Sequence, residues 1–93
     1  MEVTILLGSS SDMPVAEKCT KILKQFDVTY QLRVASAHRS PKFVEQIIHD
    51  AEADGCMVFI AMAGLAAALP GAVAALTTKP VIGVPCGLSL IHI

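Results

Sequence analysis

The feature that most constrains this chain is a set of short runs, each of strand length and apolar at nearly every position. They are VTILL at Val3 to Leu7, MVFIAMA at Met57 to Ala63, and VIGV at Val81 to Val84. A strand with one wet face alternates apolar and polar residues; a strand buried on both faces need not. Continuous runs therefore call for a sheet covered on both sides, and the segments between them supply the covers. Over residues 13–26, Val15, Ala16, Cys19, Ile22, Leu23 and Phe26 recur at helical spacing, with Glu17, Lys18, Lys21 and Lys24 between them. Asp12 or Ser11 can cap this helix, and Pro14 fits its first turn. A second stripe, Phe43, Val44, Ile47, Ile48 and Ala51, is opened by Ser40-Pro41 and closed by Asp54-Gly55. Pro70 suits the first turn of a third helix running to Leu76.

One more run, VTYQLRVA at Val28 to Ala35, is partly alternating and the least hydrophobic, which places it at the sheet edge. Strands alternating with helices mean right-handed crossovers and a parallel sheet. The expected fold is α/β: a three-layer, flavodoxin-like parallel sheet of order 2-1-3-4. In such sheets ligands sit beyond the carboxyl ends of the strands, at the switch point, here between strands 1 and 3. That edge gathers the loops Gly8–Asp12, Ser36–Ser40 and Ala63–Leu69.

Composition narrows the function classes. Ninety-three residues make one domain at most, and 54% hydrophobic against 16% charged residues describes a chain that folds. A net charge of −1 and 4% aromatic residues offer neither a basic field nor a stacking platform for nucleic acid. Three well-separated cysteines, Cys19, Cys56 and Cys86, read as buried thiols of a reducing compartment, so a cytoplasmic protein is expected. The start MEVTILLG lacks the basic region of a signal peptide. Residues 55–78 carry no charge and are long enough to span a bilayer, but Pro70-Gly71 interrupts them. They divide more naturally into a strand and an alanine-rich helix, and no membrane partner is expected.

The loops carry the candidate chemistry. Gly8-Ser9-Ser10-Ser11-Asp12 sets hydroxyls and a carboxylate at a helix start. Such a start suits an anion, and the carboxylate suits ribose hydroxyls; helix capping alone also explains these residue types. His38 and Arg39 interrupt an otherwise small-residue loop. Arginine offers a bidentate fork for phosphate or carboxylate, and histidine can give and take a proton near neutrality. A solvated polar turn is the competing reading. AGLAAALPG, from Ala63 to Gly71, permits close approach of a flat ligand or, equally, close helix–sheet packing. His49, Glu45, Glu52 and Asp54 read as a solvated face, and Cys86, with no base assigned to it, as inert.

Taken together, the loops resemble the N5-carboxyaminoimidazole ribonucleotide mutase family, also known as the catalytic subunit of phosphoribosylaminoimidazole carboxylase. That family has GSxSD after strand 1, SAHR after strand 2, AGxAAxLPG after strand 3, and then TxxPVIGVP. The chain has Gly8 to Asp12, Ser36-Ala37-His38-Arg39, Ala63 to Gly71 and Thr77 to Pro85 in that order. The resemblance implies an isomerase of purine biosynthesis acting on a small nucleotide. Its carboxylate would leave the exocyclic nitrogen as CO2 and be recaptured at C4 of the imidazole. His38 would be the general acid/base. Ser9, Asp12 and Arg39 would hold the ribose phosphate end, and Ser11, Ser36 and Gly64 would line the pocket. No metal or organic cofactor is implied, and a homo-octamer is. Direct carboxylation of aminoimidazole ribonucleotide by CO2 and a non-catalytic nucleotide-binding module are the alternatives.

Two departures qualify the resemblance. Many members place histidine before LPG, where this chain has Ala68. After Gly87 the family continues with a serine/glycine-rich turn, a strand and a helix, whereas here Leu88 to Ile93 reads LSLIHI. That string is one translation of a sequencing-library adapter. The expected organisation is therefore an incomplete domain over 1–87 and a non-native tail over 88–93. A fold lacking its last strand and helix, and inactivity of the 93-residue chain, are expected with it.

Overall fold

Every residue of β1 (Val3–Leu7) is buried, as a run with no position left for water requires. The computed structural model describes residues 1–35, 41–64 and 68–86. Within them β1 pairs in parallel with β2 (Tyr30–Val34) on one side and β3 (Val58–Ala63) on the other, and β3 pairs in parallel with β4 (Val81–Pro85). The order is β2-β1-β3-β4, the arrangement the sequence predicts, with the polar strand at one edge. Ile5 stands opposite Leu32 and Ile60, and Ile60 opposite Ile82, which sets the register across the sheet.

The pleat of β1 divides its side chains between two cores. Val3, Ile5 and Leu7 join Ala16, Ile60, Met62 and Cys86 beneath α1 (Met13–Gln25). Leu6 joins Phe59, Ala61, Val44, Ile47, Ile48, Leu69 and Val73 beneath α2 (Pro41–Ala53) and α3 (Ala68–Ala74). The sheet is thus the middle of three layers. Each fully buried aliphatic or aromatic side chain contributes about 1.5–3 kcal/mol over its exposed state.

Both long helices end in the same main-chain turn. After α2, Gly55 takes φ 90°, its N–H donates to the Glu52 carbonyl (3.1 Å) and the Cys56 N–H to the Ala51 carbonyl (2.9 Å). After α1, Asp27 takes φ 55°, with the Asp27 N–H on the Lys24 carbonyl (3.2 Å) and the Val28 N–H on the Leu23 carbonyl (3.0 Å). This turn takes up Val28 and starts β2 at Tyr30, later than the sequence predicts. α3 stops at Ala74, short of the expected Leu76, because Leu76 N–H bonds the Val73 carbonyl (2.9 Å) in a tighter turn. Pro70 in α3 packs directly on β4: a Cβ at Gly83 would lie 3.2 Å from Pro70 carbons. Residues 55–78 accordingly divide between β3 and α3, and among the described residues no helix is long and apolar enough to cross a membrane.

The two sheet edges differ. β2 is half-buried to exposed, as its polar residues allow. β4 is apolar, yet Ile82 is 52% exposed, while Val84 on the same face packs into the α1-side core. The cysteines are free thiols; Cys56 and Cys86 are buried, whereas Cys19, on the flank of α1, is only partly so.

Candidate functional site

The carboxyl ends of the strands are tied together by main-chain bonds. Ala35 N–H donates to the Leu7 carbonyl (2.7 Å), Gly8 N–H to the Met62 carbonyl (2.8 Å), and Cys86 N–H to the Ala63 carbonyl (2.7 Å). The chain therefore leaves β1, β2, β3 and β4 along one edge, and Pro41 re-enters α2 there. Of the candidate residues, Ser9, Ser11, Asp12 and Gly64 lie at this edge. Ser36, His38 and Arg39 lie outside the described residues, as do 65–67 and the tail at 88–93.

The serine loop caps differently from the expectation. Neither Ser11 nor Asp12 caps α1 through its side chain. Instead Ser9, in extended conformation, caps a separate 3-10 turn at Ser10–Asp12. Its Oγ accepts from the Ser11 N–H (3.2 Å) and from the Ser11 hydroxyl (3.0 Å). The turn inserts between strand and helix, so the cap falls earlier than a direct strand-to-helix passage puts it. Two consequences follow for chemistry. The Ser9, Ser10 and Ser11 hydroxyls stay exposed, available to a ligand. Asp12, only 9% exposed, occupies the N-cap position of α1 without bonding to its own helix. A carboxylate there is favoured by the helix dipole and is free to accept from ligand hydroxyls.

Gly64 is open: no described atom lies within 4 Å of where a Cβ would sit. Gly8 is different, with the Met62 carbonyl oxygen and Ala63 within 3.5–3.7 Å of such a Cβ. The two glycines thus fit different roles, Gly8 in packing and Gly64 in ligand approach.

Two further residues stand near this edge. Arg33, at the end of β2, sets its guanidinium 6.0 Å from the centroid of the Phe43 ring in the first turn of α2. Its signal was a charge near the end of a strand that leads into the His38 loop. Cys86, just past the end of β4, is 3% exposed, and its thiol faces the Val84 carbonyl at 3.8 Å. Burial pushes the Cys86 thiol up, and the charge and hydrogen-bonding of Asp12 push the same way.

Residues read as a solvated face mostly behave so. His49, Glu45 and Asp54 are exposed. Glu52 departs from that reading: it is partly buried, and the Thr77 hydroxyl donates to its carboxylate, since the α3–β4 connection passes over the end of α2. An open groove of about 460 Å³ lined by Lys42, Gln46, His49 and Leu76 among others lies along this outer face of α2, away from the serine loop.

The family model described as AIR carboxylase matches residues 2–92. N5-carboxyaminoimidazole ribonucleotide mutase of Methanocaldococcus jannaschii is 57% identical over 88 residues, covering 95% of this chain and 54% of the relative. The protein of the same name from Pyrococcus abyssi is 50% identical over 84 residues, covering 90% of this chain and 48% of the relative. The crystal structure of Treponema denticola PurE superposes with a TM-score of 0.88 at 38% identity, covering 95% of this chain and 57% of that one. The chain thus spans about half the length of the curated relatives it matches. On the extent of these matches and the shared sheet, the chain belongs to the AIR carboxylase family.

Proposed function

We propose that this chain carries the nucleotide site of a mutase of purine biosynthesis that interconverts N5-carboxyaminoimidazole ribonucleotide and 4-carboxyaminoimidazole ribonucleotide. The observation that carries the reading is the serine loop at the switch point. There, exposed hydroxyls and an uncommitted Asp12 carboxylate meet the open Gly64, in a chain 57% identical to a relative of that name. The substrate carboxylate departs from the exocyclic nitrogen as CO2, and that nitrogen takes a proton. C4 captures the CO2 and gives up its proton. His38 supplies the first proton and removes the second, so the side chain returns to its starting state. Arg39, Ser9 and Asp12 bind the ribose phosphate end, Arg39 as the anion fork and Asp12 as acceptor for ribose hydroxyls. Ser11, Ser36 and Gly64 line the base pocket. The chemistry calls for no metal and no organic cofactor. The proposed setting is the cytoplasm, with a homo-octamer as the working assembly.

The test is His38→Asn in the full-length protein carrying this sequence. Turnover is expected to fall by about two to four orders of magnitude while nucleotide binding persists. Unchanged turnover overturns the histidine role. Binding without turnover in the unmutated protein favours a nucleotide-binding module instead. A product yield that requires added CO2 and starts from aminoimidazole ribonucleotide favours direct carboxylation.

A further inference from the structure

The serines after β1 are not equivalent hydroxyls. A serine side chain has one proton to donate and two lone pairs to accept with. Ser9, extended at φ −155° and ψ 151°, receives two bonds on its Oγ, from the Ser11 N–H (3.2 Å) and from the Ser11 hydroxyl (3.0 Å). Both of its lone pairs are thereby used, and its proton is what it keeps. Ser11 is the reverse: its proton is committed to Ser9, and its lone pairs remain. Both side chains are exposed at the carboxyl edge of the sheet. The pair therefore presents a donor at Ser9 and an acceptor at Ser11.

That polarity selects a ligand group. A phosphate is charged and offers oxygens that only accept, so it matches the Ser9 proton and not the Ser11 lone pairs. A hydroxyl that already accepts two bonds is polarised by them and becomes a stronger donor. The bond from the Ser11 N–H also fixes the direction of the Ser9 side chain as cap of the 3-10 turn, so less ordering is left for ligand binding to impose. Asp12 marks the place of the ligand independently: its carboxylate is nine-tenths buried at the start of α1 and takes no capping bond from that helix.

We infer that Ser9 and Ser11 act as one donor and not as two. Ser11 is a positioning residue whose hydroxyl donates to Ser9, and Ser9 carries the remaining proton of the pair to the phosphate of the nucleotide. The inference rests on the nucleotide reading proposed above. It adds a coupling between the two serines that independent contacts to a ligand would not have.

The experiment is a double-mutant cycle in the full-length protein carrying this sequence. Titration calorimetry follows 4-carboxyaminoimidazole ribonucleotide and the corresponding nucleoside, which lacks the phosphate. Ser9→Ala is expected to weaken nucleotide binding about thirtyfold. Ser11→Ala is expected to weaken it about fivefold, because Ser9 keeps its proton and loses only its partner. The double variant is expected to match Ser9→Ala within about twofold. Nucleoside affinity is expected to hold within about twofold in every variant, since the phosphate is absent. Ser9→Thr keeps a hydroxyl at the cap and is expected to stay within about threefold of the unmutated protein. Melting temperatures of the same samples separate loss of binding from loss of fold.

A double-variant loss equal to the product of the two single losses overturns the coupling. A Ser11→Ala loss as large as that of Ser9→Ala overturns Ser9 as the outward donor, and a Ser9→Thr loss equal to that of Ser9→Ala overturns the part played by its hydroxyl. Nucleoside affinity that falls along with nucleotide affinity overturns phosphate as the target. These results leave the nucleotide reading standing. Unmutated protein that binds neither ligand overturns that reading and the inference with it.

Discussion

The two ends of the sheet treat their polar groups in opposite ways. At the amino end they are paired within the chain. The Gln31 amide donates to the Thr4 hydroxyl (3.1 Å), which donates to the Cys56 sulfur (3.3 Å), whose S–H points to the Val58 carbonyl (3.3 Å). This chain crosses β2, β1 and the start of β3 and suits only the observed register. Nearby the Glu2 carboxylate accepts from the Thr29 N–H (3.0 Å) and hydroxyl (3.1 Å). Both long helices also close at this end. At the carboxyl end the serine hydroxyls are exposed and Asp12 bonds nothing in its own helix. Polar groups that satisfy one another across strands hold a fold; polar groups exposed at a crevice stay accessible to a ligand. The difference gives the amino end a structural part and leaves the carboxyl end as the proposed place of recognition.

That division can be broken by substitutions that move the wrong property. Thr4→Val strands the Gln31 amide and is expected to cost about 1–3 kcal/mol in urea unfolding, with nucleotide affinity per folded molecule unchanged. A comparable loss of affinity would show the ends to be coupled. Gly64→Ala is the converse. A Cβ there meets no described atom, so the melting temperature should hold, while titration calorimetry should find nucleotide binding about tenfold weaker. Binding that holds as well would remove Gly64 from the site.

Smaller effects sharpen the amino end. α1 closes on Asp27 in the left-handed region where α2 uses Gly55. Asp27→Gly relieves that conformation and should raise stability by about 0.5–1 kcal/mol in denaturant unfolding, with no change at the site. A loss would mean the Asp27 side chain matters more than its backbone. The smallest effect is electrostatic. The Thr29 backbone hydrogen bond, then its hydroxyl, lowers the Glu2 carboxyl below its ordinary value. A lowered carboxyl stabilises the fold above the unfolded-state value, and that stability is lost as pH falls through the folded one. Glu2→Gln should therefore destabilise slightly at neutral pH, and its difference from the unmutated protein should vanish in acid. A gap that persists in acid would place the effect in packing.

Much of the fold was legible because its signals are local. VTILL and MVFIAMA have no polar position, so they had to be buried on both faces. The stripes from Val15 and from Phe43 announced the helices that cover them. The polar YQLRV marked an edge strand. The exposure of β4 was not legible from VIGV, because a strand's composition states what it can bury, and its neighbours decide whether it does. Asp12 does stand at the N-cap of α1, but the side-chain capping bond comes from Ser9, because Ser9, Ser11 and Asp12 are all good capping residues and only the inserted turn selects among them.

Sequence by itself determined the elements, the parallel order and the edge where the loops gather, since periodicity, turn residues and crossover handedness act over short stretches of chain. It also determined, through four motifs in order, which nucleotide chemistry to test. Tertiary structure alone decided which hydroxyls stay exposed, which glycine is open, and that Asp12 is nearly enclosed without bonding its own helix. Those facts depend on distances between residues far apart along the chain, and such distances come into existence only when the sheet closes.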